Sequence, residues 1–146
     1  MNQKKALWIN LIIVLALIAI VMIRSIRGGG SDVDFALSED RLSISGPGEF
    51  TVSVEFSDVS SIAFRDSLDQ GVCIDGGSEG SYTYGIWENE EFGQYALHVL
   101  TKVNAYIVLT EVDGDVIVFN IESDKTTEAF SESLTKHLQE MGYSVP

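Results

Sequence analysis

Between Gly93 and Met141 the spacing of apolar residues changes period once, and that change constrains the chain to a sheet closed by a helix. From Gln94 to Thr101, Tyr95, Leu97, Val99 and Thr101 alternate with Ala96, His98 and Leu100. A period of two with β-branched and aromatic residues predicts a strand. Lys102-Val103-Asn104 reads as a turn, and the nearly continuous apolar run Ala105–Thr110 as a strand covered on both faces. Asp113-Gly114 then separates two apolar runs, the pattern of a type I′ hairpin whose central residues need positive φ. Val116–Ile121 returns, so three consecutive antiparallel strands are expected. After Ile121 the period lengthens. Phe130, Leu134, Leu138 and Met141 follow at steps of four, four and three, one face of a helix. Ser123 or Asp124 offers an N-cap, the helix should cover Lys125 to Glu140, and Gly142 is placed to end it. Ser131, Glu132, Thr135, Lys136 and Gln139 should face water. The apolar stripe needs a partner, and the preceding sheet is the nearest one.

Upstream, Val33–Leu37, Arg41–Ser45, Phe50–Phe56 and Ser60–Arg65 read as short strands, with Gly46-Pro47-Gly48 as a turn. Phe50, Val52, Val54 and Phe56 share one face of the third. Short strands with closely spaced turns predict a sandwich or small barrel. Asp66 to Glu91 is rich in Gly, Ser and acids and reads as an irregular loop, with Val72-Cys73-Ile74 and Tyr82-Thr83-Tyr84 as strands at its ends. Within it, Trp87, Glu88, Asn89 and Glu90 form a candidate recognition loop. Trp87 is either an exposed contact residue or a plug at a barrel end, and the general burial of aromatics favours the plug.

Ala6 to Ile23 is apolar except for Asn10. At ~1.5 Å per residue this run spans roughly 27 Å, close to the hydrocarbon thickness of a bilayer. Lys4 and Lys5 precede it, Arg24 and Arg27 follow it, and Trp8 sits at an interfacial depth. A cleaved leader would need a small-x-small site, and Arg24-Ser25-Ile26-Arg27 follows instead. The organisation expected is therefore a membrane anchor over 1–27, spanning from Ala6 and Trp8 through Leu11 to Ile23, a Gly-rich linker over 28–32, and a β-domain over 33–146. The flanking charges place the domain outside the cytoplasm by a narrow margin.

Those four flanking cations leave five Lys and Arg against 22 Asp and Glu, so the remainder carries a formal charge of −17. Such a domain is repelled by nucleic acid and by anionic headgroups. It is compatible with basic partners or divalent cations, and the plainer account of the acidity is solubility. Cys73 is the only cysteine, which excludes an intramolecular disulfide and a thiolate metal cluster.

No chemical motif outweighs its structural explanation. Gly76-Gly77-Ser78-Glu79-Gly80 matches a nucleophile elbow, but that device needs a following helix, and Tyr82-Thr83-Tyr84 follows. Ser133-x-x-Lys136 lies mid-helix without companion motifs. His98 and His137 lack metal-ligand spacing. Asp113-Gly114-Asp115 and Glu88–Glu91 are acidic but lack the spaced ligands of an EF-hand loop.

Gly85-Ile86-Trp87, Phe92-Gly93-Gln94-Tyr95, Val118-Phe119-Asn120 and Thr127 with Phe130 together resemble the bacterial pleckstrin-homology-like (PH-like) domain family, over approximately Leu42 to Leu138. The resemblance implies a mainly β fold, a partly open antiparallel barrel of about seven strands closed by a C-terminal helix. It brings no catalytic residues; no cofactor and no resident metal are expected. Phosphoinositide recognition in eukaryotic PH domains uses a basic strand–loop cluster, whereas Arg41 and Arg65 stand isolated among acids, so that ligand is not expected. A membrane-anchored, non-catalytic protein-interaction or scaffolding module is the leading expectation. The alternative is a small-molecule or divalent-cation sensor built on the acidic loop 66–91.

Overall fold

A computed structural model describes residues 34–46 and 50–146. The expected anchor, including Ala6, Trp8, Leu11 and Ile23, the linker and the turn residues Pro47 and Gly48 lie outside the described residues. Among the described residues no helix is long and apolar enough to cross a membrane.

The fold is mainly β, with two sheets and one C-terminal helix. Strands β1 (Asp34–Leu37), β2 (Arg41–Ser45) and β3 (Thr51–Glu55) form a three-stranded antiparallel sheet. A 3-10 turn at Phe56–Asp58 leads into β4 (Val59–Arg65). There follow β5 (Val72–Glu79), β6 (Tyr82–Asn89), β7 (Gly93–Leu100), β8 (Tyr106–Glu111) and β9 (Val116–Phe119). With β4 these form a second sheet in the order β4-β8-β9-β7-β6-β5. Helix α1 covers Asp124–Glu140. The described residues thus hold nine strands, where about seven were expected.

The expected run of three antiparallel strands is corrected at one point. β8 and β9 are antiparallel, but β9 inserts between β8 and β7 and runs parallel to β7. Asn120, just past β9, completes this join. Its Oδ1 accepts from Leu100 N at 2.7 Å, and its Nδ2 lies 3.2 Å from Leu100 O and 3.3 Å from Val103 O. A buried side-chain amide thereby satisfies backbone groups that a strand ladder would otherwise have to meet.

The β8–β9 turn also differs from its expected form. Gly114 N donates to Glu111 O, and Glu111 N to Asp115 O. Val112 and Asp113 therefore sit at the centre of the turn, and Gly114 follows with φ +98°, a three-residue loop closed by a bulge.

Alternation on β7 sorts its side chains as expected. Tyr95, Leu97 and Val99 join Tyr106, Val108, Val116 and Val118 in a cluster on one face of the large sheet. The opposite face carries Ile107, Leu109, Ile117 and Phe119 against Leu42, Ile44, Val54 and Phe56 from the small-sheet segment and Phe130, Leu134 and Leu138 from α1. Both faces of β8 are covered. Met141 departs from the stripe and is 42% exposed. The helix stops before burying it, because Tyr143 N bonds Leu138 O, Gly142 N bonds Gln139 O, and Gly142 takes φ +91°. Ser131, expected in water, is buried. Ser123 is the N-cap, its Oγ accepting from Thr126 N at 3.2 Å.

Residues 66–71 join the two opposite edges of the large sheet. Laid flat, six strands would hold those edges about 24 Å apart. Seven Cα steps reach roughly 25 Å only when fully extended. This strap is not extended: Gly71 N turns back to Asp69 Oδ1, and Leu68 packs into the cluster around Tyr95. The two edges of the large sheet must therefore lie closer than in a flat sheet, so the sheet curls towards that cluster. The strap is held by Tyr95, whose hydroxyl donates to Gln70 O at 2.7 Å, and by Asn89 Nδ2 bonding Asp69 O. Burial, with Asp69 and Tyr106 nearby, pushes the Tyr95 hydroxyl up to about 12, so it remains a donor. Arg65 and Glu91 pair at 2.6 Å across the gap.

Candidate functional site

Segment 66–91 is not an irregular loop. It is the strap followed by the β5–β6 hairpin, turned by Gly80-Ser81. Gly76 and Gly85 face each other across the pair with φ +128° and +119°. A methyl group built on either would collide with the opposite backbone, at Tyr84 O or Asp75 O. The two strands meet backbone to backbone there, which no residue with a Cβ permits. The glycines that make the sequence read as loop are what lets these strands approach. Gly-Ser between two strand-length segments was a hairpin signal in the sequence.

Among the described residues β5 pairs with β6 only, so it forms an outer edge of the large sheet. The register steps from Cys73 opposite Trp87 to Asp75 opposite Ile86. Ile74 is the extra residue of that bulge and has no partner opposite it in the ladder. Val72 is 60% and Ile74 50% exposed, and Cys73 between them is exposed too. These apolar side chains lie in a segment, 66–91, that holds seven Asp and Glu and no Lys, Arg or His.

The expected recognition residues do not form a loop. Trp87, Glu88 and Asn89 lie in β6, and Glu90 is exposed in the β6–β7 turn. Trp87 is half-buried against the cluster around Tyr95, its Nε1 donating to Tyr84 O at 3.3 Å. It packs on that cluster from within the sheet. Asn89 holds the strap and also accepts from Phe92 N. Gln94 Nε2 lies 3.4 Å from Glu88 Oε2.

His98 is fully buried on the helix-facing side of β7. Its Nδ1 lies 3.1 Å from the Tyr82 hydroxyl, and its ring stacks on Phe50 at 5.0 Å. A Cβ on Gly46 would come within 3.0 Å of the Tyr82 ring and 3.3 Å of His98 Nδ1, so Gly46 lies directly against the pair. Burial pushes the His98 imidazole down to about 4 and the Tyr82 hydroxyl up. The ring is neutral at pH 7. Among the described residues Nε2 has no hydrogen-bond partner. If Nδ1 carried the proton, both the Tyr82 proton and the Nε2 lone pair would be stranded. Tyr82 donating to Nδ1 strands only the Nε2 proton, and this arrangement is the cheaper one. His137 stands edge-on to Phe56 at 6.3 Å.

Glu111, Asp113 and Asp115 bring carboxylate oxygens within 4.8 Å of one another at the β8–β9 turn. The Glu111 carboxyl is pushed up by burial first and then by Asp113, Asp115 and Asp58. This convergence lies outside segment 66–91. Ser78, in the elbow-like motif, sits on β5 with its hydroxyl 3.0 Å from Thr83 Oγ1 across the hairpin, not at a strand-to-helix turn. Ser133 and Lys136 lie within α1.

Comparison with protein-family models, curated proteins and solved structures finds no match to this chain. What the domain does must be read from its own residues.

Proposed function

We propose that this chain is a single-pass membrane protein whose β-domain is PH-like and serves as a non-catalytic protein-interaction module held near the bilayer. The observation that carries the interaction reading is β5, an outer strand with exposed Val72, Cys73 and Ile74 in an acidic surround. Exposed apolar side chains grouped on an accessible sheet edge favour contact with another chain. The PH-like reading is supported by short strands in two sheets followed by one helix packed on them. It is also supported by the structural work of residues in the resemblance. Asn120 ties β9 to the end of β7. Thr127, fully buried, accepts from Ile121 N, with Ile121 O and Ser123 O each 2.8 Å from its hydroxyl. The tether rests on the apolar run Ala6–Ile23, and the surplus of acids argues against nucleic acid and anionic lipid as ligands.

Two measurements test this reading. Cys73 is exposed and is the only thiol, so it reports membrane sidedness directly. A membrane-impermeant maleimide should label it in intact cells; labelling only after lysis would put the domain in the cytoplasm. A photo-crosslinking residue placed in turn at Ile74, Asp113 and Lys136 of the full chain in its membrane should give a discrete protein adduct from at least one position. Adducts from none would overturn the interaction reading.

A further inference from the structure

We infer that the outer edge of β5 receives an extended segment of another protein, rich in β-branched apolar residues interleaved with Lys or Arg, as an added strand. This deepens the interaction reading above and rests on it. Sheet edges in monomeric domains are usually guarded by charged side chains, proline, a bulge or a covering element, and β5 has a bulge and two carboxylates but keeps exposed apolar side chains beside them. β4, the other edge of the large sheet, packs against α1. β5 contains neither Lys nor Pro, and among the described residues β6 is the one strand paired with it. The β5 bulge leaves Ile74 exposed, as Val72 is. An added strand would take the outward amides and carbonyls of β5, and its apolar side chains would cover Val72 and Ile74.

Charge selects the occupant. Segment 66–91 carries seven acids and no base, and Arg65 meets only Glu91 among them. A second copy docking edge to edge would set Asp75 and Glu79 against the same residues of its partner, which repel. Nucleic acid and anionic lipid are repelled in the same way. A strand bearing Lys or Arg meets Asp75 and Glu79 favourably, and the field of the whole domain steers it in.

The test uses the full chain in nanodiscs of phosphatidylcholine, a lipid without net charge. The probe is a capped octapeptide of alternating Lys and Val. Its companions are a Glu-Val counterpart and two versions N-methylated at alternate residues, one for each edge of the peptide. The Lys-Val peptide should bind and the Glu-Val peptide bind at least about tenfold more weakly. One N-methylated version should lose binding and the other keep it, because an added strand bonds through one edge only. The double variant Asp75→Lys/Glu79→Lys should reverse the preference at an unchanged unfolding midpoint. Equal binding of both N-methylated versions would mean simple cation adsorption and would overturn the proposal. So would no binding at about 1 mM peptide, or a dimer of this chain joined through oxidised Cys73. In the crosslinking series, adducts from Lys136 or Asp113 but not Ile74 would overturn the edge site alone, whereas adducts from none would overturn the interaction reading itself.

Discussion

His98 makes the fold sensitive to acid in a way that can be isolated. Its imidazole is sealed between Tyr82, Phe50 and Gly46, and burial holds it down to about 4, against an ordinary value of 6.5. In the unfolded chain His98 takes a proton below about pH 6.5, but in the fold only below about pH 4. Between those limits the unfolded state binds the extra proton. Stability is therefore fully present above the upper limit and lost as pH falls toward the lower one. The linkage amounts to about 2 kcal/mol at pH 5 and approaches about 3 kcal/mol at pH 4. Acid also acts on the many carboxylates of the chain, so the measurement must be a difference between parent and variant. His98→Gln does not titrate and keeps an acceptor for the Tyr82 hydroxyl. Denaturant unfolding of both detergent-solubilised full chains, followed by tryptophan fluorescence from pH 7.5 to 4, gives two stability curves. Their separation should change by the stated amounts, with the variant gaining on the parent as pH falls. Parallel curves would refute the reasoning, because they would mean that His98 titrates alike in both states.

Other perturbations probe separate parts of the structure. Asn120→Ala removes the partners of Leu100 N, Leu100 O and Val103 O and should cost about 2–4 kcal/mol in denaturant unfolding. Leu134→Ala should cost about 2–5 kcal/mol, and a cost near zero would detach α1 from the core. Gly85→Ala drives a methyl group into the Asp75 carbonyl and should cost about 2 kcal/mol or more, with faster amide exchange along β5. Asp113→Asn keeps the acceptor for Asp115 N while removing one charge beside Glu111. A gain of about 0.5 kcal/mol at pH 7 is expected, solvent screening keeping it small. That gain should vanish as acid protonates Glu111, whose raised value in the fold makes acid relieve the same repulsion.

Local pattern and long-range geometry divide what the sequence made legible. Alternation sorted Tyr95, Leu97 and Val99 from Ala96, His98 and Leu100 correctly, because a pleated strand exposes its two faces to two different clusters. Helical spacing found Phe130, Leu134 and Leu138 for the same kind of reason. It overran at Met141, where the backbone turn at Gly142, not apolar demand, decides where the helix ends. The β5–β6 hairpin was hidden because Gly76 and Gly85 act as a pair, and a single strand does not show its partner. The edge carrying Val72 and Ile74 was hidden with it. Tyr82 meets His98 only through the β6–β7 register, and the insertion of β9 between β8 and β7 leaves no mark on any short window.

That insertion bears on how the chain comes together during synthesis. β9, the last of the described strands to be synthesised, is an interior strand of its sheet. Until it emerges, β4 with β8 and β5 with β6 and β7 are two separate fragments with no ladder between them. A strand of four residues, Val116–Phe119, then joins them, with Asn120 fastening the seam. The N-terminal half of the domain must therefore wait, partly exposed, for residues near position 120. Truncation before Val116 would leave two unjoined pieces open to mispairing rather than a smaller version of the same sheet.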